Sequence, residues 1–211
     1  SSAASDVYKR QDVTLLPATD RDVSMVFQSY ALFPHMSVLE NVSYGLKMIN
    51  VPKEEFTEKS LETLKLVNLE GYENRMPSEL SGGQQQRVAV ARAIVLKPKV
   101  LLFDEPLSNL DAKLRRQVRE DIREIQQKLG VTTIYVTHDQ EEALAISDKV
   151  IVMNNAIIAQ QGSPKELYNF PKTKFVANFI GDANVVKAEI INQNNNIYEI
   201  QLAEMKINIE S

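Results

Sequence analysis

The sequence predicts an α/β domain built on a mostly parallel sheet, with a purely helical insertion after its first strand and a small β-domain beginning near its end. Three observations carry this. Short continuous apolar runs alternate with longer amphipathic stretches, which is the strand–helix–strand order of parallel sheets. The runs end on polar or acidic residues, as in Val100-Leu101-Leu102-Phe103-Asp104-Glu105. Past Asp182 the periodicity changes to short strands separated by polar turns.

Taken in order, Val23 to Gln28 reads as a buried strand ending in a polar residue. Ser37-Val38-Leu39-Glu40 has capping-box spacing and opens a short helix through Leu46. A second helix runs from Pro52 to about Asn68, with Phe56, Leu61, Leu64 and Val67 as its expected apolar face, and Gly71 ends that unit. Gln84 to Leu96 is a third helix, with Val88, Ala91 and Val95 at helical spacing and Pro98 as its stop. Val100 to Phe103 is a continuous apolar strand. Asp111 caps a longer helix that carries Leu114, Val118, Ile122, Ile125 and Leu129 and ends at Gly130. Its charges, from Lys113 to Glu124, read as a solvated face laced with i,i+4 pairs. Thr132 to Thr137 is a strand, His138 closes it, and a helix follows from about Gln140 to Ile146.

Val150–Met153 and Ala156–Gln160 flank Asn154-Asn155, a hairpin signal. Ser163-Pro164-Lys165-Glu166 is a second capping box, with proline at the first helical position. Val185–Ile191, Ile197–Leu202 and Met205–Ile209 read as short strands, with a polar turn at Asn192–Asn196.

The 211 residues suffice for one large domain, or for one domain plus part of another. Charged residues at 25% and hydrophobic residues at 44% are ordinary for a globular protein. A formal charge of -4 gives no electrostatic footprint for nucleic acid. The absence of cysteine rules out disulfides and thiolate metal sites and fits an intracellular compartment. No apolar run approaches the roughly 18–20 residues that span a bilayer. Residues 1–11 are small and polar with no apolar h-region, and are expected to be a foreign or disordered leader.

The chemistry concentrates in a few places. Ser81-Gly82-Gly83 leaves consecutive backbone N–H groups bare at a helix start, a place to hold phosphate. Gln84-Gln85-Gln86-Arg87 is an unusually polar opening for a helix that turns apolar one turn later. Asp104 follows four apolar residues and so lies at the C-terminal end of a strand, where open α/β sheets place their ligands. One carboxylate for a hydrated magnesium ion and a second, Glu105, to polarise water would meet the needs of phosphoryl transfer. His138 could donate a hydrogen bond to a γ-phosphate. Gln28 could orient a water or touch magnesium. Each alone has an ordinary structural reading: a surface Asp-Glu pair, a satisfied strand-end histidine, a loop running into the Asp111 N-cap. His35, in a loop after Phe33-Pro34, carries no chemistry.

In this order and spacing the residues resemble the ATP-binding-cassette (ABC) transporter ATPases. Val26-Phe27-Gln28-Ser29-Tyr30 resembles the family's Q-loop, and Leu80 to Gln84 matches its LSGGQ signature. Val100 to Glu105 matches the Walker B strand, Ser108 to Asp111 the D-loop, and His138 the switch histidine. The resemblance runs from about Asp12 to Asp182 and implies an ABC-type P-loop NTPase core with a helical subdomain at about 30–80. It implies ATP and Mg2+ as cofactors. Glu105, His138 and Gln28 are then catalytic, Asp104 and Gln28 hold magnesium, and Ser81, Gly82, Gly83, Gln84 and Asp111 bind nucleotide.

Phe27 to Met36, Thr137 to Ala143 and Phe175 to Gly181 are similar, more narrowly, to bacterial importer subunits for ferric iron, polyamines, phosphonates, sulfate or maltose-type sugars. Residues 183–211 would then start a truncated C-terminal regulatory β-domain. That branch implies a head-to-tail dimer with a second ATPase subunit. It also implies contact with transmembrane permease subunits, an indirect link to an extracytoplasmic solute-binding protein, no nucleic acid, and a peripheral place on the cytoplasmic face of the inner membrane.

One element of the pattern is not present. None of the seven glycines sits in a GxxxxGK[ST] phosphate loop. The expectation is a fragment truncated at both ends, inactive alone and not rescued by homodimerisation. Two other classes share parts of the pattern. DNA-repair and chromosome-maintenance ATPases insert a long coiled coil between Q-loop and signature, and the stretch from Gln28 to Leu80 has no sustained heptads. The other is a non-catalytic permease-docking module.

Overall fold

A computed structural model of the chain describes residues 7–8, 11–181, 183–194, 197–202 and 205–210. In the expected leader, β1 (Val7–Tyr8) pairs antiparallel with β2 (Gln11–Asp12), which straddles the leader's end, and residues 1–6 and 9–10 lie outside the described residues.

The chain then follows the predicted order: β3 (Val23–Val26), α1 (Val38–Met48), α2 (Lys53–Leu66), α3 (Gly82–Ile94), β4 (Val100–Asp104), α4 (Ala112–Leu129), β5 (Thr132–Val136) and α5 (Gln140–Ile146). Strands β3, β4 and β5 form one parallel sheet in that order, with Met25, Leu102 and Ile134 in register. Alternation along the strands splits the sheet into two faces. Val26, Leu101 and Phe103 are buried, while Met25, Ile134 and Val136 on the other face are exposed. All three strands end at the same edge, so the residues that follow them are brought together.

The helical insertion packs α1, α2 and α3 on one another around Val38, Val42, Leu46, Leu64, Val67, Val88 and Ala91. The predicted capping box is present: the Ser37 hydroxyl accepts from the Glu40 N–H at 3.2 Å, and the Glu40 carboxylate accepts from the Ser37 N–H at 2.8 Å. On α2 the expected face is corrected at one position. Leu61 is 41% exposed and Ser60 is fully buried instead. The inward positions step from partly buried Phe56 to buried Ser60 and Leu64, a stride of four, which puts Leu61 about 100° round the helix. Ser60 is tolerated there because its hydroxyl donates to the Phe56 carbonyl at 2.7 Å. With helices of 11 and 14 residues between Gln28 and Leu80, this segment holds no long coiled coil.

The loop after Gln28 is held from two sides. Asn41 on α1, fully buried, bonds the Phe33 N–H and the Phe33, Met36 and Ser37 carbonyls. Arg92 on α3 donates to the Ala31 carbonyl at 2.5 Å and the Tyr30 carbonyl at 2.8 Å. Burial lowers the Arg92 pKa from its ordinary value.

A second compact unit begins at Asp148. Its hairpin joins β6 (Val150–Asn154) to β7 (Ile157–Gly162), and both turn residues have positive φ, Asn155 at 48° and Ala156 at 61°. That is the conformation of a two-residue turn matched to strand twist, one residue later than expected. The predicted capping box at Ser163 starts α6 (Pro164–Asn169). α7 (Lys174–Ile180) was not expected as an element; Thr173 caps it by accepting from the Val176 N–H at 3.2 Å.

β8 (Glu189–Asn194), β9 (Ile197–Leu202) and β10 (Met205–Glu210) form an antiparallel meander with β9 central. β8 starts later than expected and runs into the stretch read as a polar turn, because Asn192 to Asn194 pair with Glu199 to Ile197. Strand pairing there overrides weak local propensity.

Candidate functional site

The site forms where β3, β4 and β5 end. The Glu105 N–H donates to the Val136 carbonyl at 2.9 Å, continuing the ladder one residue past β4. Glu105 also takes φ +44°, a left-handed conformation that costs a non-glycine residue on the order of 1 kcal/mol. Its carboxylate Oε2 lies 3.1 Å from His138 Nδ1, beyond β5. The Ser108 hydroxyl donates to the Glu105 carbonyl at 3.0 Å and accepts from Gln28 Nε2 at 3.1 Å. Asn109 Nδ2 donates to the Gln28 carbonyl at 2.9 Å. Gln28, Glu105 and His138, distant in sequence, are therefore joined through Ser108.

Asp104 ends β4 beside them and is exposed. A hydrated magnesium ion takes oxygen ligands and keeps several waters. Among the described residues the Asp104 carboxylate makes no hydrogen bond or ion pair, and Gln28, donating through Nε2, keeps its amide oxygen for a cation. This donor set fits magnesium. No group of three or more His, Cys, Asp or Glu among the described residues is arranged to hold a metal, so further ligands would be phosphate oxygens and water.

The signature residues lie on a different element. The Ser81 hydroxyl accepts from the Gln84 N–H at 3.4 Å, and the Gln84 amide oxygen accepts from the Ser81 N–H at 2.9 Å, a closed capping box at the start of α3. The glycines also serve packing. A Cβ on Gly83 would stand 2.9 Å from Leu114 Cδ1 and 3.3 Å from Val118 Cγ2, so adding one would force Leu114 to shift where α3 meets α4. A Cβ on Gly82 would stand 3.1 Å from Leu110 Cδ2. Asp111 caps α4, its Oδ1 accepting from the Lys113 and Leu114 N–H groups at 3.1 and 3.0 Å. Among the described residues no hydrogen bond or ion pair joins Ser81–Gln84 to Glu105 or His138. The structure thus presents two separate sets: the strand-end carboxylate, amide and imidazole groups, and the α3 N-terminus.

Sequence reasoning missed the group behind His138. Glu142 is 3% exposed and accepts from Thr137 Oγ1 at 2.8 Å and from the Tyr135 hydroxyl at 3.2 Å. Burial, then the Glu142 charge, push the Tyr135 phenol well above its ordinary pKa. Arg115 on α4 reaches Asp139 Oδ2 at 3.2 Å, and its Nε lies 3.8 Å from Glu142 Oε1. Arg115, Thr137, His138, Asp139 and Glu142 line a small pocket of about 90 Å³ together with Glu105 and Ser108. The available signal was Asp139-x-x-Glu142, which has the spacing of a helix cap; the Glu142 N–H does donate to Asp139 Oδ1 at 3.1 Å. Arg115, read as part of a solvated face, is instead committed inward. Asp121 likewise forms an ion pair with Arg87 of α3, while its other carboxylate oxygen accepts from Gln117 Nε2 of its own helix at 3.3 Å.

A parallel sheet that gathers carboxylate, amide and imidazole groups at its strand ends, with a helical insertion ending in a glycine-opened helix, defines the ATPase domain of ABC transporters. The chain belongs to that family: the ABC transporter family model matches residues 3–108. Among individual proteins, it is 60% identical over 201 residues to the Fe(3+) ions import ATP-binding protein FbpC of Agrobacterium fabrum, covering 95% of this chain and 57% of that one. It is 65% identical over 180 residues to the protein of the same name from Rhizobium etli, covering 85% and 51%. The solved structure of cbiO1 from Clostridium perfringens, part of the ABC transporter complex cbiONQ, matches with TM-score 0.65 and 34% identity, over 70% of this chain and 59% of that one. The chain spans about half the length of the curated relatives it matches. No helix among the described residues is long and apolar enough to cross a membrane.

Proposed function

We propose that the chain is the signature-bearing part of the ATPase subunit of a bacterial import system, with ferric iron as cargo. The observation that carries this is the junction of Gln28, Ser108, Glu105 and His138 at one sheet edge, in the motif order of the family. Glu105 would accept a proton from the attacking water and His138 would steady its carboxylate and a γ-phosphate; Asp104 with Gln28 would hold a magnesium ion, which would supply positive charge to the phosphates. Support for ferric iron over polyamine, phosphonate, sulfate or sugar comes from the Fe(3+) import names of relatives at 60–65% identity.

In this reading, residues 12–182 belong to the ATPase domain and residues 183–211 to a regulatory β-domain. The subunit sits on the cytoplasmic face of the membrane against permease subunits, paired head to tail with a second ATPase subunit. Ser81 and Gly83 then serve the partner's ATP, while Asp104 and Glu105 serve the subunit's own. Because the 211 residues hold no GxxxxGK[ST] pattern, the chain alone hydrolyses ATP at background level, as does a homodimer of it. The test is sedimentation of the purified chain with a phosphate-loop-bearing subunit of the family, with and without ATP. ATP-dependent association is expected. Association that ignores ATP, or Glu105-dependent hydrolysis by the chain alone, contradicts the reading.

A further inference from the structure

The His138 ring is 73% exposed, and its polar partner among the described residues is Glu105 at 3.1 Å. Nothing else the imidazole bonds to fixes its approach, so the backbone of residues 137–139 must do so. That backbone is attached to one buried carboxylate. Glu142 accepts from Thr137 Oγ1 at 2.8 Å and donates its N–H to Asp139 Oδ1 at 3.1 Å, and Thr137 Oγ1 also accepts from the Asp139 N–H at 3.0 Å. Residues on both sides of His138 are thereby held to the first turn of α5. A buried carboxylate is costly unless a charge answers it. Arg115 supplies that charge from α4, with Nε 3.8 Å from Glu142 and Nη1 3.2 Å from Asp139. Its other amino group, Nη2, donates to the Leu110 carbonyl at 3.2 Å. Leu110 belongs to the loop that starts at Glu105. One guanidinium therefore spans the loop carrying the carboxylate and the turn carrying the imidazole.

We propose that Arg115 and Glu142 are positioning residues for His138: together they fix the 137–139 turn against the loop from Glu105 to Leu110, so that this strut sets the Glu105–His138 contact. Its functional meaning rests on the reading of Glu105 and His138 as the hydrolytic pair, but its test does not involve ATP. A lysine at 115 keeps the charge and loses the planar fork, and so cannot serve both loops.

The test is long-range proton–nitrogen NMR of the histidine rings in the 211-residue chain at neutral pH. The chain has two histidines, so His35 is an internal reference. Glu105→Gln gives the His138 signal without its carboxylate partner. Arg115→Lys and Glu142→Gln are each expected to move the His138 ring nitrogens most of the way to that position while His35 stays put. The proposal is overturned if both variants fold and His138 keeps its native shifts, or if His35 moves as far as His138. If one variant does not fold, the other decides. If neither folds, amide exchange in the native chain decides: the Leu110 and Asp139 amides opening together support the strut, and independent opening overturns it. Failure of ATP-dependent association would leave these shifts unchanged, so the two readings fail separately.

Discussion

Asn41→Asp isolates the side chain that shapes the loop after Gln28. The native amide nitrogen lies 3.1, 3.0 and 3.0 Å from the Phe33, Met36 and Ser37 carbonyl oxygens, and its oxygen accepts from the Phe33 N–H at 2.8 Å. An amide nitrogen carries two hydrogens, so three contacts share two donations. The substitution keeps the shape, removes both donations and turns a carboxylate toward three carbonyl oxygens. Two lost hydrogen bonds cost about 1 kcal/mol each, and the Met36 carbonyl left without a donor adds about 1–3 kcal/mol, while the Ser37 and Phe33 carbonyls still accept from the Asn41 and Met36 N–H groups. The expected loss is about 3–5 kcal/mol, a large share of the roughly 5–15 kcal/mol that holds a domain together. It also has a sign with pH. Burial among carbonyls raises the folded-state pKa of the new carboxyl above its unfolded value near 3.9, so the protonated form is the tolerated one. The deficit against the native chain is therefore smallest below about pH 4 and grows as pH rises through the folded-state pKa. Urea unfolding of both chains, followed by circular dichroism at acid and neutral pH, measures it. A deficit under about 1 kcal/mol at neutral pH, or one that does not grow with pH, would refute this account of the loop.

Gly83→Ala is expected to lower stability by about 1 kcal/mol, because overpacking against Leu114 and Val118 (about 1–3 kcal/mol) exceeds the gain in helix propensity (about 1 kcal/mol); thermal unfolding checks it. Asp111→Ala removes two cap hydrogen bonds and should cost about 1 kcal/mol, seen as faster amide exchange in the first turn of α4. Glu166, held below its ordinary pKa by the Ser163 backbone and hydroxyl, keeps its capping box above that ordinary value of 4.5 and loses it as pH falls through the lowered one; a carboxyl-carbon NMR titration follows this. The Tyr135 phenol, raised by burial and then by Glu142, should be the last tyrosine to ionise in an alkaline ultraviolet titration, and it should do so only with unfolding.

Much of this molecule was legible in its sequence because local signals and global fold agree. Ser37 and Ser163 announced helix starts that the structure repeats, and the apolar run ending in Asp104-Glu105 placed the site at a strand end. What the sequence did not disclose depends on phase and on distance. Leu61 looks like a core residue until the stride of four through Ser60 is fixed by packing. Arg115 and Asp121 sit in a charged stretch indistinguishable from a solvated face, and only the approach of α3 and α5 turns them inward. The Gln28–Ser108 hydrogen bond crosses 80 residues, and no periodicity encodes it. The glycines of the signature were read as bare phosphate donors; the structure adds that Gly83 also leaves room for Leu114 where α3 meets α4.

The central claim is that this chain lends the start of α3 to a partner's ATP while keeping Asp104 and Glu105 for its own. The most direct measurement pairs the purified chain with a phosphate-loop-bearing subunit of the family whose own signature serine has been replaced. Neither hydrolyses ATP alone. The account predicts that mixing them restores hydrolysis and that Ser81→Arg in this chain abolishes it, whereas Glu105→Gln in this chain leaves it intact. Restored hydrolysis that needs Glu105 of this chain and ignores Ser81 would contradict it.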